Sequence, residues 1–295
     1  MVEGKIIKAL SGFYYVISKE NQRVYQCRGR GVFRKNKITP LVGDVVLFEE
    51  SNPGEGYVVD VKNRKNELVR PPIANIDQAI IVASAVKPDF SPLLLDRFLV
   101  LIESKNIEPV IFISKMDMVD SDKQKAIMNI REDYEKIGYS VLTLSTKDPE
   151  GLLTAKNYFR DKISVIAGQS GVGKSSMLNA INPLLDLETN EISTSLGRGK
   201  HTTRHVELIE VNEGLVADTP GFSSLEFNEL DQQDLADCFP EMRERKADCK
   251  FRGCMHHKEP KCAVKAAVES GDIPSYRYDH YLHFLEEIRN RKPRY

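Results

Sequence analysis

The chain has 295 residues, 41% of them apolar and 29% charged, with a formal net charge of −1. That length exceeds one ordinary domain and is enough for two or three with cores of their own. The longest apolar run, "AIIVASAV", falls well short of the roughly 20 residues that span a bilayer, and the start, "MVEGKIIKAL", has no cleavable apolar core. A membrane protein is excluded on this reading, and a cytoplasmic one is expected.

Residues 1–68 hold five short segments rich in β-branched and aromatic residues: "GKIIKAL", "GFYYVIS", "RVYQCRG", "GDVVLFEE" and "GYVVDVK". Gly, Asn, Pro and Ser separate them, so they predict a small closed β-barrel, OB-fold-like in size. Between Glu20 and Asp44 there is no acidic residue, while Arg23, Arg28, Arg30, Arg34, Lys35 and Lys37 fall there. With Tyr14, Tyr15, Tyr25 and Phe33 nearby, this stretch suits a groove that tracks an RNA backbone, with rings for base stacking. It equally suits a solvated loop over core aromatics. "ELVRPPIANID" then reads as a linker.

From about residue 76 strand-like and helix-like segments alternate. "IDQAIIVASA", "EPVIFISK", "YSVLTLS" and "ISVIAG" are apolar on both faces. "SPLLLDRFLVLIESKN", "SDKQKAIMNIREDYEKIG" and "PEGLLTAKNYFRD" lie between them, the first with Ser91 as N-cap and Pro92 at the first helical position. The pattern predicts an α/β unit over 69–224, a parallel sheet with helices on both faces. Beyond it, 225–295 turns Glu/Lys-rich and helical, with a helix from about 276 to 290.

"GQSGVGKSS" fits the phosphate-loop pattern G-x-x-x-x-G-K-[ST], between an apolar strand and a helix-like "SSMLNAI". Gly168, Gln169, Ser170, Gly171, Val172 and Gly173 would present backbone N–H groups to phosphate oxygens at a helix N-terminus. Lys174 would reach the β/γ-phosphates, and Ser175, followed by Ser176, would hold Mg²⁺. The choice of base rests on "SKMD": Ser114, Lys115, Met116 and Asp117. The Asp117 carboxylate can accept from the ring N–H and exocyclic amine of guanine, an edge adenine lacks. "LSTK" ends the next strand, and Ser145, Thr146 and Lys147 suit a second base loop.

Downstream, "LVADTPG" offers Asp218, to contact Mg²⁺ through water, and Gly221, whose amide would sense the γ-phosphate. "LGRGKHTTRH" lies where a switch threonine belongs; Thr203 is the expected Mg²⁺ contact, with Thr202 close behind. The usual order of these motifs is phosphate loop, switch threonine, D-x-x-G, then the base loops. Here the base loops come first. The order is a circular permutation, which a compact domain with neighbouring termini tolerates. The segment after Gly221 therefore feeds straight into the C-terminal region.

"CKFRGCMHHKEPKC" supplies Cys249, Cys254, His256 and Cys262, three thiolates and an imidazole. That set suits a closed tetrahedral Zn²⁺ site with no open position for catalysis, with His257 a rival to His256. Barrel, "GQSGVGKSS", "GRGKHTTRH", "DTPGF" and the Cys/His cluster, in this order, resemble the circularly permuted GTPases of small-ribosomal-subunit biogenesis, the RsgA family. The resemblance covers essentially the whole chain. It implies GTP hydrolysis stimulated by the small ribosomal subunit, rRNA contact, a role in late maturation of that subunit, and His256 as the fourth zinc ligand. Ser114 departs from the Asn commoner in the Asn- or Thr-Lys-x-Asp base motif of GTPases. Ras-type enzymes orient the attacking water with a Gln after D-x-x-G; Phe222 stands there instead. His201 and His205 flank the Thr pair, and the resemblance favours His201 as the catalytic group. Alternatives from other classes are a nucleotide-regulated RNA-binding scaffold and an ATP-dependent phosphotransferase. A monomer is expected.

Overall fold

The computed structural model describes residues 1–31, 33, 38–69, 71–187, 206–217 and 225–291. Its first five strands are β1 (Val2–Leu10), β2 (Phe13–Ser18), β3 (Val24–Gly29), β4 (Val45–Asn52) and β5 (Glu55–Val61). β1 pairs antiparallel with both β2 and β4, β2 with β3, and β4 with β5; β3 and β5 run parallel and close the ring. Alternation decides what fills it: Ile6, Val16, Cys27, Val46, Phe48 and Val58 are all buried. The barrel expected from residues 1–68 is therefore present.

The Pro-Pro stretch is not the linker it resembles. β6 (Glu67–Val69) and β7 (Pro72–Ala74) form a small antiparallel hairpin. It docks on the barrel through Ala74 N–H to the Val42 carbonyl at 2.9 Å, with Ile73 and Ala74 buried. Proline is tolerated because Pro72 is the first residue of β7, ahead of the Ala74 N–H that the barrel uses.

Four strands then arise as expected: β8 (Gln78–Ser84), β9 (Glu108–Ser114), β10 (Ser140–Thr143) and β11 (Ile163–Ala167). With β12 (Val206–Val211) and β13 (Gly214–Ala217) they lie in the order β10-β9-β8-β11-β13-β12. Five of the six are parallel. β12 is the exception to the parallel sheet expected from sequence, running antiparallel to β13. The cause is local: Asn212 (φ 50°) and Glu213 (φ 65°) make a two-residue turn with both central residues left-handed, the geometry that folds a hairpin. β12 also meets β1 of the barrel, and Lys8 pairs with Glu207 at 2.7 Å.

Helices cover both faces. α1 (Pro92–Glu103) and α2 (Ser121–Ile137) bury Leu95, Phe98, Ile127 and Tyr134 against Ile81, Ile111 and Val165. α3 (Pro149–Asn157) and α4 (Lys174–Ile181) pack Ala155, Met177 and Leu178 against Ile80, Phe112 and Ile166. Ser91 caps α1, its Oγ accepting from the Leu94 N–H at 3.3 Å, and Gly138 (φ 110°) stops α2.

The C-terminal part holds α5 (Pro240–Arg243), α6 (Ala263–Ser270) and α7 (Ser275–Arg289) around Phe239, Met242, Tyr281 and Phe284. α7 leans on α1. The fully buried Arg277 donates to Asp96 of α1 and, at 2.7 Å, to Glu241 of α5. Two buried carboxylates around one guanidinium satisfy its fork, the condition on which a buried ion pair is tolerated.

Candidate functional site

The two loops that sequence assigns to phosphate and base emerge at the same, carboxyl-terminal edge of the sheet. β11 runs into Gly168–Gly173 and then α4, while β9 ends at Ser114, with β8 between them. That edge is where ligands of open α/β sheets bind.

The phosphate loop needs its glycines. Gly168 has φ 139°, and a Cβ there would sit 2.3 Å from the Val82 carbonyl oxygen of the neighbouring strand. Gly171 and Gly173 also have positive φ. Lys174 Nζ donates to the Gly168 and Gln169 carbonyls, 2.8 Å each, and burial pushes its ammonium pKa down. A phosphate at this place would offer the half-buried cation a stronger acceptor than two carbonyls. Val172 is buried, Ser175 half-buried at the start of α4, and Gln169, Ser170 and Ser176 are exposed.

Ser114 does more than fill the place of an Asn. Its hydroxyl is 2.6 Å from the Val172 carbonyl, joining the base strand to the phosphate loop across β8. Lys115 follows in the left-handed region (φ 60°) and sends Nζ to the Gly171 carbonyl at 2.7 Å and to the Lys87 carbonyl. Met116 and Asp117 begin a short 3₁₀ turn, and the Met116 N–H donates to the Leu144 carbonyl at 3.2 Å. That bond brings the two base loops side by side. Lys147 Nζ then lies 2.8 Å from Asp117, and its own N–H donates to Ser145 Oγ at 3.0 Å. The Asp117 carboxyl falls below the ordinary range, chiefly through the hydrogen bond from Lys147, with Ser145 adding to it. Thr146 is exposed at the tip. Nothing in the sequence signals the Asp117–Lys147 pair, because the topology alone brings the two loops together.

His201, Thr202, Thr203, His205, Asp218, Gly221 and Phe222 lie outside the described residues, as do Arg34, Lys35 and Lys37. On the barrel, Tyr25 and Phe33 are buried, so they belong to the core and cannot stack on bases. Tyr14 and Tyr15 are half-buried. The Arg28 guanidinium lies 4.8 Å above the Phe13 ring, and Arg30 pairs with Glu49.

The four residues expected to hold zinc meet. The ligand atoms of Cys249, Cys254, His256 and Cys262 lie within 4.8 Å of one another. His256 Nδ1 is 3.3 Å from Cys262 Sγ and 3.6 Å from Cys249 Sγ, and those two sulfurs are 3.9 Å apart. Tetrahedral Zn–S and Zn–N bonds of about 2.3 and 2.1 Å imply edges of about 3.6–3.8 Å. The residues therefore fit the ion. Burial and the neighbouring thiols push Cys254 up to about 12, a resistance to ionisation that a divalent cation would reverse. His257 is not a ligand; its Nδ1 faces Arg289 at 3.1 Å. Tyr278 and Tyr281 of α7 donate to the His256 and Met255 carbonyls, both at 2.6 Å, and fix the loop that carries the imidazole.

Comparisons with known proteins agree with this geometry. A family model described as RsgA GTPase matches residues 61–228, and one described as RsgA N-terminal domain matches residues 3–58. A relative from Bacillus cytotoxicus is 64% identical over 295 residues, and one from Bacillus subtilis strain 168 is 61% identical over 298. Both alignments cover 100% of either chain, and both relatives are named small ribosomal subunit biogenesis GTPase RsgA. The crystal structure of YloQ, described as a circularly permuted GTPase, superposes with a TM-score of 0.87 at 56% identity, covering 100% of this chain and 97% of that one. YjeQ from Thermotoga maritima superposes with 0.88 at 36% identity, covering 99% of each. With family models matched over 3–58 and 61–228 and relatives aligned along its whole length, the chain belongs to the RsgA GTPase family.

Proposed function

We propose that this chain binds Mg·GTP at the edge formed by β9 and β11, hydrolyses it, and acts in late maturation of the small ribosomal subunit, whose docking stimulates turnover. The observation that carries the guanine reading is the adjacency of an ionised Asp117, held by Lys147, to a phosphate loop bonded to Ser114. A carboxylate so placed rewards a paired N–H donor edge and is left facing an unmatched edge by adenine. Gly168–Gly173 and Lys174 would take the phosphates, and Ser175 with Thr203 would hold Mg²⁺, Asp218 through water. The metal supplies charge neutralisation between the β- and γ-phosphates. Gly221 would sense the γ-phosphate, and His201 would orient the attacking water by hydrogen bonding, in either protonation state.

The division of labour follows the chain: barrel (1–68), permuted GTPase unit (69–224) and zinc-stapled helical unit (225–295). The barrel meets rRNA through Arg23, Arg28, Arg30 and the basic residues up to Lys37, with Tyr14 and Tyr15 as the accessible rings. Full-length relatives bear the name of a small-subunit biogenesis factor, which supports the ribosomal partner. We place the protein in the cytoplasm as a monomer; among the described residues no helix is long and apolar enough to cross a membrane.

Competition against a fluorescent GTP analogue tests the base assignment. GTP should displace it and ATP should fail, and Asp117→Asn should exchange GTP preference for xanthosine triphosphate. Equal displacement by ATP would contradict the assignment.

A further inference from the structure

His256 is the one member of the Cys₃His cluster that is not a cysteine, and its backbone sits in the left-handed region, φ 51°. A non-glycine residue persists there only where its surroundings hold it. From that backbone the buried imidazole reaches the thiols, with Nδ1 3.3 Å from Cys262 Sγ. The two rotations about the His256 Cα are set by the peptide groups before and after it. Whatever holds those two groups holds the ligand.

Both are held. Tyr281 donates to the Met255 carbonyl and Tyr278 to the His256 carbonyl, each at 2.6 Å. A single carboxylate, that of Glu259, accepts from two N–H groups of the same loop: Met255 at 3.1 Å through Oε1, and His257 at 3.0 Å through Oε2. The first N–H belongs to the Cys254–Met255 peptide and the second to the His256–His257 peptide. One side chain thus braces the link from a thiol ligand to the imidazole, with bonds strengthened by its charge. Glu259 lies three residues from His256 and three from Cys262, yet its oxygens are not among the ligand atoms that converge. Any effect it has on the metal passes through the loop.

We propose that Glu259 is a positioning residue for the zinc centre: by bracing the peptide groups around His256 it presents the imidazole to the metal and raises zinc affinity. The proposal rests on the reading of the cluster as a zinc site. Without the carboxylate two N–H groups lose their acceptor, and His256 is free to leave the left-handed region. Binding the metal must then restore the order that Glu259 supplies, at a cost in backbone entropy. Partners that orient a ligand in this way are typically worth about 10- to 100-fold in metal affinity.

A double-mutant cycle tests this, because the effect should run through His256. Zinc affinity of the full chain is read by competition with a chromophoric chelator at fixed pH. Glu259→Ala should weaken zinc binding by about 10- to 100-fold. In a His256→Ala background, where three thiolates still bind the metal, the same substitution should cost no more than about twofold. A role in general stability alone would cost the same in both backgrounds, and that result would overturn the proposal. If Glu259→Ala does not fold, Glu259→Gln carries the test. One amide oxygen cannot serve both N–H groups, so the expected loss is about tenfold, again absent beside His256→Ala; equal loss in both backgrounds overturns the proposal there too. A wild-type chain that takes up no zinc would remove the zinc reading and this proposal together. Zinc uptake by the wild type, with Glu259→Ala binding equally tightly, would remove this proposal alone.

Discussion

The Asp117 carboxylate sits 2.8 Å from the Lys147 ammonium, with the Ser145 hydroxyl supporting it from the same loop. Ionisation matters here because guanine offers two donors, and a protonated acid would meet them with a donor of its own. The sign of the pH dependence follows. A carboxyl held low is ionised above its lowered pKa, so guanine recognition persists as pH falls and is lost only through that lowered value. Removing Lys147 lets the carboxyl return toward the ordinary value of about 3.9. Lys147→Ala should therefore bind the GTP analogue less tightly between about pH 4 and 5 while approaching wild type near pH 7. Displacement titrations across that range check it, and superimposable pH profiles would show that Lys147 does not hold the charge. The pair is exposed, so the difference should also shrink in high salt.

At the scale of elements, the zinc loop shows how a few ligands replace a core. The loop from Cys249 to Cys262 holds little regular structure, with a short run of bends between a 3₁₀ turn and α6, and it is fastened to α7 through Tyr278 and Tyr281. Cys254→Ser should release the metal and lower the melting midpoint of the C-terminal unit by on the order of 10 °C. GDP affinity should stay near wild type. Metal analysis beside calorimetry reads both, and a chain that keeps its melting midpoint without zinc would show the cluster to be dispensable. The ligands were legible in the sequence because chemistry selects them, although residue types left His256 and His257 as rivals; burial of one and the Arg289 contact of the other separate them. The five barrel strands, the four central strands and the cap at Ser91 were legible from periodicity and turn residues. The β6–β7 hairpin was not, because Pro-Pro reads as a break unless one knows that Pro72 opens a strand instead of interrupting one. Nor was the reversal of β12, which depends on Glu213 adopting a left-handed conformation that glutamate rarely takes. Tyr25 and Phe33 illustrate a different limit: composition places rings near basic residues but cannot say which side of the barrel wall they face.

For the whole molecule, the consequence of permutation is mechanical. In the usual order the D-x-x-G segment leads back into its own domain; here it leads to Leu225 and then to the zinc-stapled helices. On the opposite flank, β12 pairs with β1 of the barrel directly after the stretch that carries His201 and Thr203. The stretch that carries His201 and Thr203 is thus joined in sequence to a strand that pairs with the barrel, the unit proposed above to meet rRNA. Phe222, in place of a water-orienting Gln, leaves basal hydrolysis without that help. We infer that the ribosomal partner completes the catalytic arrangement. The measurement that meets it most directly is phosphate release from GTP by the full chain, alone and with equal amounts of purified small or large ribosomal subunits. Slow release alone, marked stimulation by small subunits only, and loss of that stimulation in His201→Ala with GTP binding retained are the predicted results. Equal rates with small subunits, large subunits and none would contradict the account.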